Sequence, residues 1–313
     1  MRAFAVPSAG AEPVLIDLPE PSVADGIVVA VSYAGANPID YKKLERLGPD
    51  ARYPIVVGQD FAGLVTAVPP GEGEFHPGDR VFGTAPRHGA YAEVTAVRLG
   101  WGEALARVPE GLSMRHAAGL PTSALTALAC IDALHVTSGS RVLILGAAGA
   151  VGGYALQMAH ARGAHLIGTV RGTGADDARR LGASEVFDST AGDPRAAIRQ
   201  AHPDGFDAVL DLVSNKNDFG GNADLLAAGG RAVSTIGAAD IPAFAARGMT
   251  ATNLVVADSP DFSPAGFARV AALAVEGVIE VRIGAEYTFD DVASMYRDLR
   301  AGNVQGKAIL DVR

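Results

Sequence analysis

Short hydrophobic runs separated by turn residues dominate the first third of the chain. Residues 27–31 and 63–68 are rich in β-branched side chains, and Gly- and Pro-containing stretches lie at 69–71 and 77–79. Such runs are typical of strands, because β-branched side chains suit a pleated sheet while Gly and Pro favour turns. This part of the sequence predicts an all-β module.

The pattern changes after about residue 121, where buried strands alternate with helical segments. Residues 141–145, 166–170 and 208–213 form mostly apolar runs of strand length, with helical stretches between them. Strands that are hydrophobic on both faces and alternate with helices predict a parallel sheet covered on both sides.

The end of the chain predicts a helix between two strands. Asp290 and Asp291 begin this helix, and Gly302 is its expected stop. Its apolar stripe consists of Val292, Met295, Tyr296 and Leu299. Because β-type runs at 278–283 and 307–312 lie after the α/β part, we expect the chain to return and complete the first domain.

Length and charge narrow the function classes. The chain has 313 residues, 49% of them hydrophobic, which is enough for two compact domains. The formal charge of -9 arises from 35 acidic and 26 basic residues without a basic block. We therefore expect a small-molecule partner, and neither a nucleic acid nor an anionic membrane surface.

Cysteine content and the apolar stretches indicate a compartment. Cys130 is the only cysteine, which excludes an intrachain disulfide and a multi-thiolate zinc or iron-sulfur site. The first residues carry too short an apolar run for a signal peptide, and no apolar stretch is long enough to span a bilayer. We expect a cytoplasmic protein.

A glycine-rich turn joins the first strand of the α/β part to a helix. Gly146, Gly149 and Gly152 follow the run at 141–145 and precede a helical stretch that Gly163 ends. Glycines let the backbone approach a pyrophosphate, and the N–H groups of the helix N-terminus supply donors. A turn that merely packs the helix on the strand is the alternative. The predicted dinucleotide contacts are Gly146, Ala148, Gly149, Ala150, Val151 and Gly152.

The residue after the next strand distinguishes NAD from NADP. An acid there binds the ribose 2′-hydroxyl, whereas a cation accepts the 2′-phosphate. The run at 166–170 ends in Arg171, with no acid beside it. We therefore expect NADPH as the cofactor, with Arg171 at its 2′-phosphate. A solvated Arg171, with Arg179 or Arg180 serving instead, is the alternative.

Seven short motifs occur in order along the chain. They are residues 36–40 (ANPID), 54–63 (PIVVGQDFAG), 77–81 (PGDRV), 89–93 (GAYAE), 121–127 (PTSALTA), 146–152 (GAAGAVG) and 306–310 (GKAIL). Each motif alone is loose, but seven in order are specific. In them the sequence resembles the zinc-independent quinone oxidoreductase group of the medium-chain dehydrogenase/reductase superfamily, over nearly its whole length.

The resemblance implies a two-domain α/β plus β fold. Residues 1–121 and 261–313 would form a GroES-like, β-barrel-type catalytic domain. Residues 122–260 would form an inserted Rossmann domain, a doubly wound parallel sheet that binds NADP. The resemblance further implies a substrate cleft between the domains and a homodimer.

The family's zinc positions carry other residues in this sequence. Zinc-dependent relatives have a cysteine at the place of Asn37 and a His-Glu pair at the place of Gln59 and Asp60. Neutral amides are poor zinc ligands, and the seven histidines show no paired spacing. The resemblance therefore implies a protein without a metal site.

A protein without zinc lacks the Lewis acid that alcohol oxidation uses, and the resemblance therefore implies the reduction of an activated acceptor. Hydride transfer to a quinone or an α,β-unsaturated ketone or aldehyde needs alignment in a dry cleft and polar support for the developing enolate. We assign this positioning to Asn37, with Lys42 or Tyr53 as a proton or hydrogen-bond donor. Relatives often have a tyrosine at the place of Lys42, which leaves the donor open. A turn role for Asn37 before Pro38 and a solvated Lys42 are the alternatives.

Further cofactor contacts follow by position from the resemblance. They are Thr126 near the nicotinamide, Val213 and Ser214 after one strand, and Thr235, Ile236 and Gly237 after the next. Strand ends at a switch point are where a dinucleotide should lie. A lysine that relatives often use for the 2′-phosphate is missing near Gly174, and Cys130 is expected to pack in a buried helix.

Two other functions compete with the reductase. A short-chain dehydrogenase is excluded because no Tyr-x-x-x-Lys pair occurs. A dinucleotide-binding protein without turnover, acting as a redox sensor or scaffold, stays open because a fold alone does not decide function.

Overall fold

The computed structural model describes residues 1–48, 50–100 and 103–313, which group into two compact units. The first unit comprises Met1–Leu125, Pro260–Gly277 and Val281–Arg313. The second unit comprises Thr126–Ser259 and Val278–Glu280. None of the described helices is long and apolar enough to cross a membrane.

The regular elements are numbered in chain order. The strands are β1 (Arg2–Val6), β2 (Val14–Asp17), β3 (Ile27–Ala36), β4 (Ile55–Val56), β5 (Asp60–Ala67), β6 (Arg80–Thr84), β7 (Val94–Val97), β8 (Ala104–Arg107), β9 (Arg141–Leu145), β10 (His165–Val170), β11 (Glu185–Asp188), β12 (Phe206–Asp211), β13 (Leu226–Ser234), β14 (Thr250–Asn253), β15 (Ile283–Thr288) and β16 (Lys307–Asp311). The α-helices are α1 (Pro38–Lys42), α2 (Met114–Ala117), α3 (Pro121–Ala133), α4 (Ala150–Ala161), α5 (Ala175–Arg180), α6 (Pro194–Ala201), α7 (Ile241–Ala246), α8 (Pro264–Val275) and α9 (Val292–Ala301).

Two largely antiparallel sheets form the first unit. One has the strand order β2-β1-β4, and the other has the order β15-β16-β3-β5-β6-β8, with β7 also paired to β3. The inward side chains build a core that includes Phe4, Phe61, Tyr91 and Leu310. The last strand, β16, pairs antiparallel with β3, so the end of the chain completes a sheet that the first third of the chain begins.

The second unit holds one parallel sheet with the order β11-β10-β9-β12-β13-β14. The strand order reverses beside β9, which makes the carboxyl ends of β9 and β12 the switch point of a doubly wound sheet. Residues of β9 from Val142 to Leu145 are buried, as strands covered by helices on both faces must be. The predicted fold class, a Rossmann sheet with an antiparallel β domain, is confirmed.

The predicted C-terminal helix is also confirmed. A 3-10 turn at Phe289–Asp291 leads into α9, and the helix ends at Gly302. The φ of Gly302 is 69°, a left-handed conformation that glycine adopts without the steric cost of a side chain.

The run at 278–283 is wrong as a predicted strand, because only Ile283 belongs to β15. The backbone of Glu280 bonds instead to a side chain of α4. Gln157 Nε2 donates to Glu280 O (3.2 Å), and Gln157 Oε1 accepts from Glu280 N (2.6 Å). These bonds use the N–H and C=O groups that a strand ladder would need. The first unit likewise departs from an all-β module, since α1 and α2 interrupt its strands.

Candidate functional site

The glycine turn lies between β9 and α4, as the sequence predicts. Gly146 has a φ of 91°, and its N–H donates to Thr169 Oγ1 of β10 at 3.1 Å. A Cβ on Gly152 would lie 2.3 Å from Gly146 O, so the turn and the first turn of α4 pack too closely for any side chain. Gly149 is exposed and caps α4.

This arrangement fits a pyrophosphate. The first N–H groups of an α-helix have no partner within the helix, and here they belong to a helix that starts at Ala150, next to exposed Gly149. Val151 is half-buried and continues the same first turn. Backbone donors at the positive end of a helix dipole suit a doubly charged anion.

Arg171 follows β10 directly and is exposed. Within the described residues its side chain makes neither an ion pair nor a hydrogen bond, whereas Arg179 pairs with Asp176 at 3.2 Å. The nearby acid Asp188 is engaged by the loop, because Gly172 N and Thr190 N donate to its Oδ1 at 3.1 and 2.8 Å. The available charge after β10 is therefore positive, which fits a 2′-phosphate.

Buried Asp211 shapes the loop after β12. Its Oδ1 accepts from Val213 N (3.0 Å) and Ser214 N (2.9 Å), and its Oδ2 accepts from Asn222 Nδ2 (2.6 Å). Arg195 donates to Ser214 Oγ at 2.5 Å. These contacts leave Val213 65% exposed at the carboxyl edge of the sheet. Asp211 was missed at the sequence level, although an acid inside an apolar strand was a visible signal.

The loop after β13 ends at the same edge. Ser234 Oγ accepts from Ile236 N at 3.3 Å and from Ala238 N at 3.0 Å. Ile236 and Gly237 are exposed, and Thr235 is half-buried. Elsewhere in this unit, Thr126 is buried in α3, and Ala148 is half-buried in the glycine turn.

In the first unit, Asn37 is buried and its amide is fully hydrogen-bonded. Its Nδ2 donates to Gly35 O (3.2 Å) and Asp60 Oδ2 (2.9 Å). Its Oδ1 accepts from Ser123 Oγ (3.1 Å) and Lys307 Nζ (2.5 Å). All four bonding positions of the amide are occupied. Asn37 stays a predicted site residue, and this saturation favours a positioning role over contact with a substrate.

Lys307 is the charged centre of this cluster. Its side chain is 1% exposed, and its Nζ lies 3.4 Å from Oδ2 of the fully buried Asp60. A third donor reaches Ser123 Oγ at 3.3 Å. Burial lowers the pKa of Lys307, while the charges of Asp60 and Asp40 act in the opposite direction. The motif containing Lys307 was noticed in the sequence, but this role was not.

A chain of hydrogen bonds leads outward from Asp60. Thr122 Oγ1 donates to Asp60 Oδ1 at 2.6 Å, and Gln59 Nε2 donates to Thr122 Oγ1 at 2.7 Å. Lys43 Nζ then donates to Gln59 Oε1. The desolvation of its ammonium lowers the pKa of Lys43.

Lys42 and Tyr53 lie outside this chain. Both are half-buried, and within the described residues neither side chain forms a hydrogen bond. The donor role that the sequence assigned to Lys42 or Tyr53 stays a prediction, and it is the neighbouring Lys43 that bonds to Gln59. Neighbouring side chains in a helical turn point about 100° apart, so Lys42 and Lys43 have different surroundings.

A second buried carboxyl group, Asp40, lies beside the cluster. Its Oδ2 accepts from Asn37 N (2.8 Å) and Tyr91 Oη (2.7 Å), while its Oδ1 has no partner among the described residues. Burial, followed by repulsion from Asp60, raises the pKa of Asp40 to about 7. Among the residues that the structure describes, no group of three His, Cys, Asp or Glu side chains lies close enough together to hold a metal ion.

Two family models match this chain. The alcohol dehydrogenase GroES-like domain matches residues 24–115, and the zinc-binding dehydrogenase model matches residues 181–310. The GroES-like match precedes the dehydrogenase match along the chain, and the two do not overlap. The chain therefore belongs to the medium-chain dehydrogenase/reductase superfamily of oxidoreductases.

Individual proteins narrow this placement. The chain is 28% identical to the quinone oxidoreductase of Rattus norvegicus, over 99% of this chain and 97% of that protein. It is 30% identical to the mitochondrial NAD(P)H oxidoreductase RTN4IP1 of Bos taurus over 61% of this chain, but it spans only about half of that relative, 53%. The structure of the quinone oxidoreductase from Coxiella burnetii superposes with a TM-score of 0.86 at 28% identity, covering 100% of this chain and 98% of that one. Within the superfamily, the chain belongs to the zinc-independent quinone oxidoreductase group.

The raised pKa of Asp40 predicts a pH-dependent stability. Between its ordinary value of 3.8 and about 7, the folded protein keeps a proton that the unfolded chain has lost. Stability should therefore fall as pH rises through this window, by up to about 1.4 kcal/mol per pH unit. Urea unfolding of wild type and Asp40→Asn from pH 4 to 8, roughly this window, would measure it. As pH rises, the unfolding free energy of wild type should fall relative to that of the variant. A difference between the two proteins that does not change with pH would contradict the assignment.

The close packing of the glycine turn predicts that an added methyl group destabilises the protein at one glycine much more than at another. Gly152→Ala should destabilise the second unit by about 1 to 3 kcal/mol, because its Cβ would overlap a backbone oxygen. Gly149→Ala is the matched control, since its Cβ would make only an ordinary 3.4 Å contact. Thermal unfolding should separate the two variants, and equal midpoints would refute the packing argument.

Proposed function

We propose that this protein is an NADPH-dependent, zinc-independent reductase that delivers a hydride to a quinone or to an α,β-unsaturated ketone or aldehyde. The observation that carries this proposal is exposed Arg171, without an ion-pair partner in the described residues, after β10 and beside the glycine turn. The names of the rat and bovine relatives support a nicotinamide-dependent reaction with a quinone acceptor.

The second unit supplies the proposed cofactor contacts. The first turn of α4 would bind the pyrophosphate, and Arg171 would hold the 2′-phosphate. Exposed Val213 and Ile236 would cover the nicotinamide end, where apolar side chains exclude water. When bound, NADPH would supply the hydride, which carries two electrons.

The first unit supports a reaction without a Lewis acid. Asn37 and Gln59 stand at the family's zinc positions, and both amides are engaged with protein partners. Alcohol oxidation then lacks stabilisation of an alkoxide, whereas conjugated acceptors take a hydride more readily. The homodimer and the cytoplasmic location stay predictions from the sequence.

An acceptor screen tests the proposed reaction. Purified protein should oxidise NADPH in the presence of para-benzoquinone or methyl vinyl ketone, and heat-denatured protein is the control. NADPH binding seen by fluorescence without turnover of either acceptor class would overturn the reductase and favour a redox sensor.

Arg171 predicts the preference between cofactors. Arg171→Ala should weaken NADPH binding about 10- to 100-fold, because a charge-assisted contact to phosphate is lost. NADH binding should change little, since NADH lacks this phosphate. Arg179→Ala, which removes an arginine already paired with Asp176, is the matched control. Titration calorimetry with both cofactors measures the effect, and an equal loss for NADPH and NADH would refute it.

A further inference from the structure

We propose that Lys43 is the acid that protonates the reduced acceptor, and that a hydrogen-bond chain anchored on buried Lys307 holds it in place. This inference rests on the proposed function and identifies the proton donor of that reaction. Its basis is the sequence of contacts Lys307–Asp60–Thr122–Gln59–Lys43 within the first unit.

The buried end of the chain fixes the direction of every hydrogen bond. Asp60 receives bonds from Asn37 Nδ2 (2.9 Å), Thr122 N (3.0 Å) and Thr122 Oγ1 (2.6 Å), and it lies beside the Lys307 ammonium. A carboxylate in this setting only accepts. Thr122 must therefore give its hydroxyl proton to Asp60 and can only accept from Gln59.

The direction of these bonds orients the amide of Gln59. Because Thr122 Oγ1 needs a donor, Gln59 presents its Nε2 inward and its Oε1 outward. The outward oxygen then accepts from the ammonium of Lys43. Gln59 is 9% exposed and is held at both ends, so it fixes the place of the ammonium. Lys307, Asp60, Thr122 and Gln59 are positioning residues in this account.

Lys43 has the properties that a proton donor needs. It is exposed as a residue, which lets a spent amine regain its proton from water. The desolvation of its ammonium lowers the pKa of Lys43 from the ordinary 10.5, while Asp40 and Asp60 oppose this shift. A donor whose pKa is closer to the working pH transfers its proton more effectively.

The proton balance is complete with NADPH as the reductant. Hydride addition at the β-carbon of a conjugated ketone breaks the carbon–carbon π bond and leaves an enolate. The Lys43 Nζ–H bond then breaks, its proton forms the new bond at the α-carbon, and the amine stays with its electron pair. A solvent proton restores the ammonium, so the acceptor gains two electrons and two hydrogens while NADPH is oxidised to NADP⁺.

A nearby cation on the same segment provides a matched comparison for Lys43. Lys43→Met should lower the rate of methyl vinyl ketone reduction about 100-fold, the lower end for loss of a general acid, because water can partly replace an exposed donor. Arg46→Met, which removes an exposed cation three residues further on, should leave the rate within about twofold of wild type, since Lys43 remains. Lys43→Arg should not restore the rate, because a guanidinium does not release its proton in this pH range.

Two results would overturn the inference. One is a Lys43→Met variant as fast as wild type, and the other is rescue by Lys43→Arg, which would show that charge alone suffices. NADPH binding measured on the same variants should stay unchanged. If wild type reduces neither acceptor class, the proposed function fails, whereas activity that is insensitive to Lys43 defeats this inference alone.

The pKa itself gives a readout that does not depend on turnover. NMR titration of isotopically labelled lysine side chains should give Lys43 a pKa below the ordinary 10.5, and wild-type activity should fall as pH rises through that pKa. Thr122→Val, which interrupts the chain, should move the NMR pKa of Lys43 towards 10.5 and the alkaline limb with it. If Thr122→Val changes neither the alkaline limb of the pH–activity profile nor the NMR pKa of Lys43, the positioning role is contradicted.

Discussion

A lysine ammonium almost fully removed from water costs several kcal/mol unless charged and polar partners compensate it. Lys307 meets this constraint with three acceptors, Asn37 Oδ1, Asp60 Oδ2 and Ser123 Oγ. The partners come from the end of β3, the start of β5 and the start of α3. The ammonium therefore joins segments that are far apart in sequence, and removal of either charge would leave the other buried without compensation.

The ion pair also determines what the neighbouring groups can do. With Asp60 held as an acceptor, one amide hydrogen of Asn37 and the hydroxyl of Thr122 are committed to it. Asp40 lies close to a carboxylate that already has its counter-ion, and repulsion adds to burial in raising its pKa. The amide of Asn37 thus has all four of its hydrogen-bonding positions occupied by protein partners.

Local pattern was sufficient to predict the glycine turn and the elements on either side of it. The strand before Gly146, the helix after Gly149 and the exposed Arg171 follow from periodicity and turn chemistry over short stretches. The buried cluster around Lys307 depends on distant contacts, since Lys307 and Asn37 are 270 positions apart. No periodicity encodes that pairing. The bond from Lys43 to Gln59 depends on how a short helical turn is oriented, which local pattern does not show. The β-type run at 278–283 likewise does not reveal that the side chain of Gln157 bonds to the backbone of Glu280.

The hydrogen bonds of the cluster leave only one of its two lysines able to act as an acid in the proposed reaction. Each of the three Nζ–H bonds of Lys307 has an acceptor in the protein, so this ammonium has none left for a substrate. Nor can the ammonium of Lys307 act as a Lewis acid, because its nitrogen has no vacant orbital that could accept an electron pair. Of the two lysines in the chain of contacts, only Lys43 reaches solvent and keeps N–H groups beyond the one given to Gln59. In the proposed reaction, such a site would suit acceptors that need one hydride and one proton better than alcohols, whose oxidation needs a stabilised alkoxide.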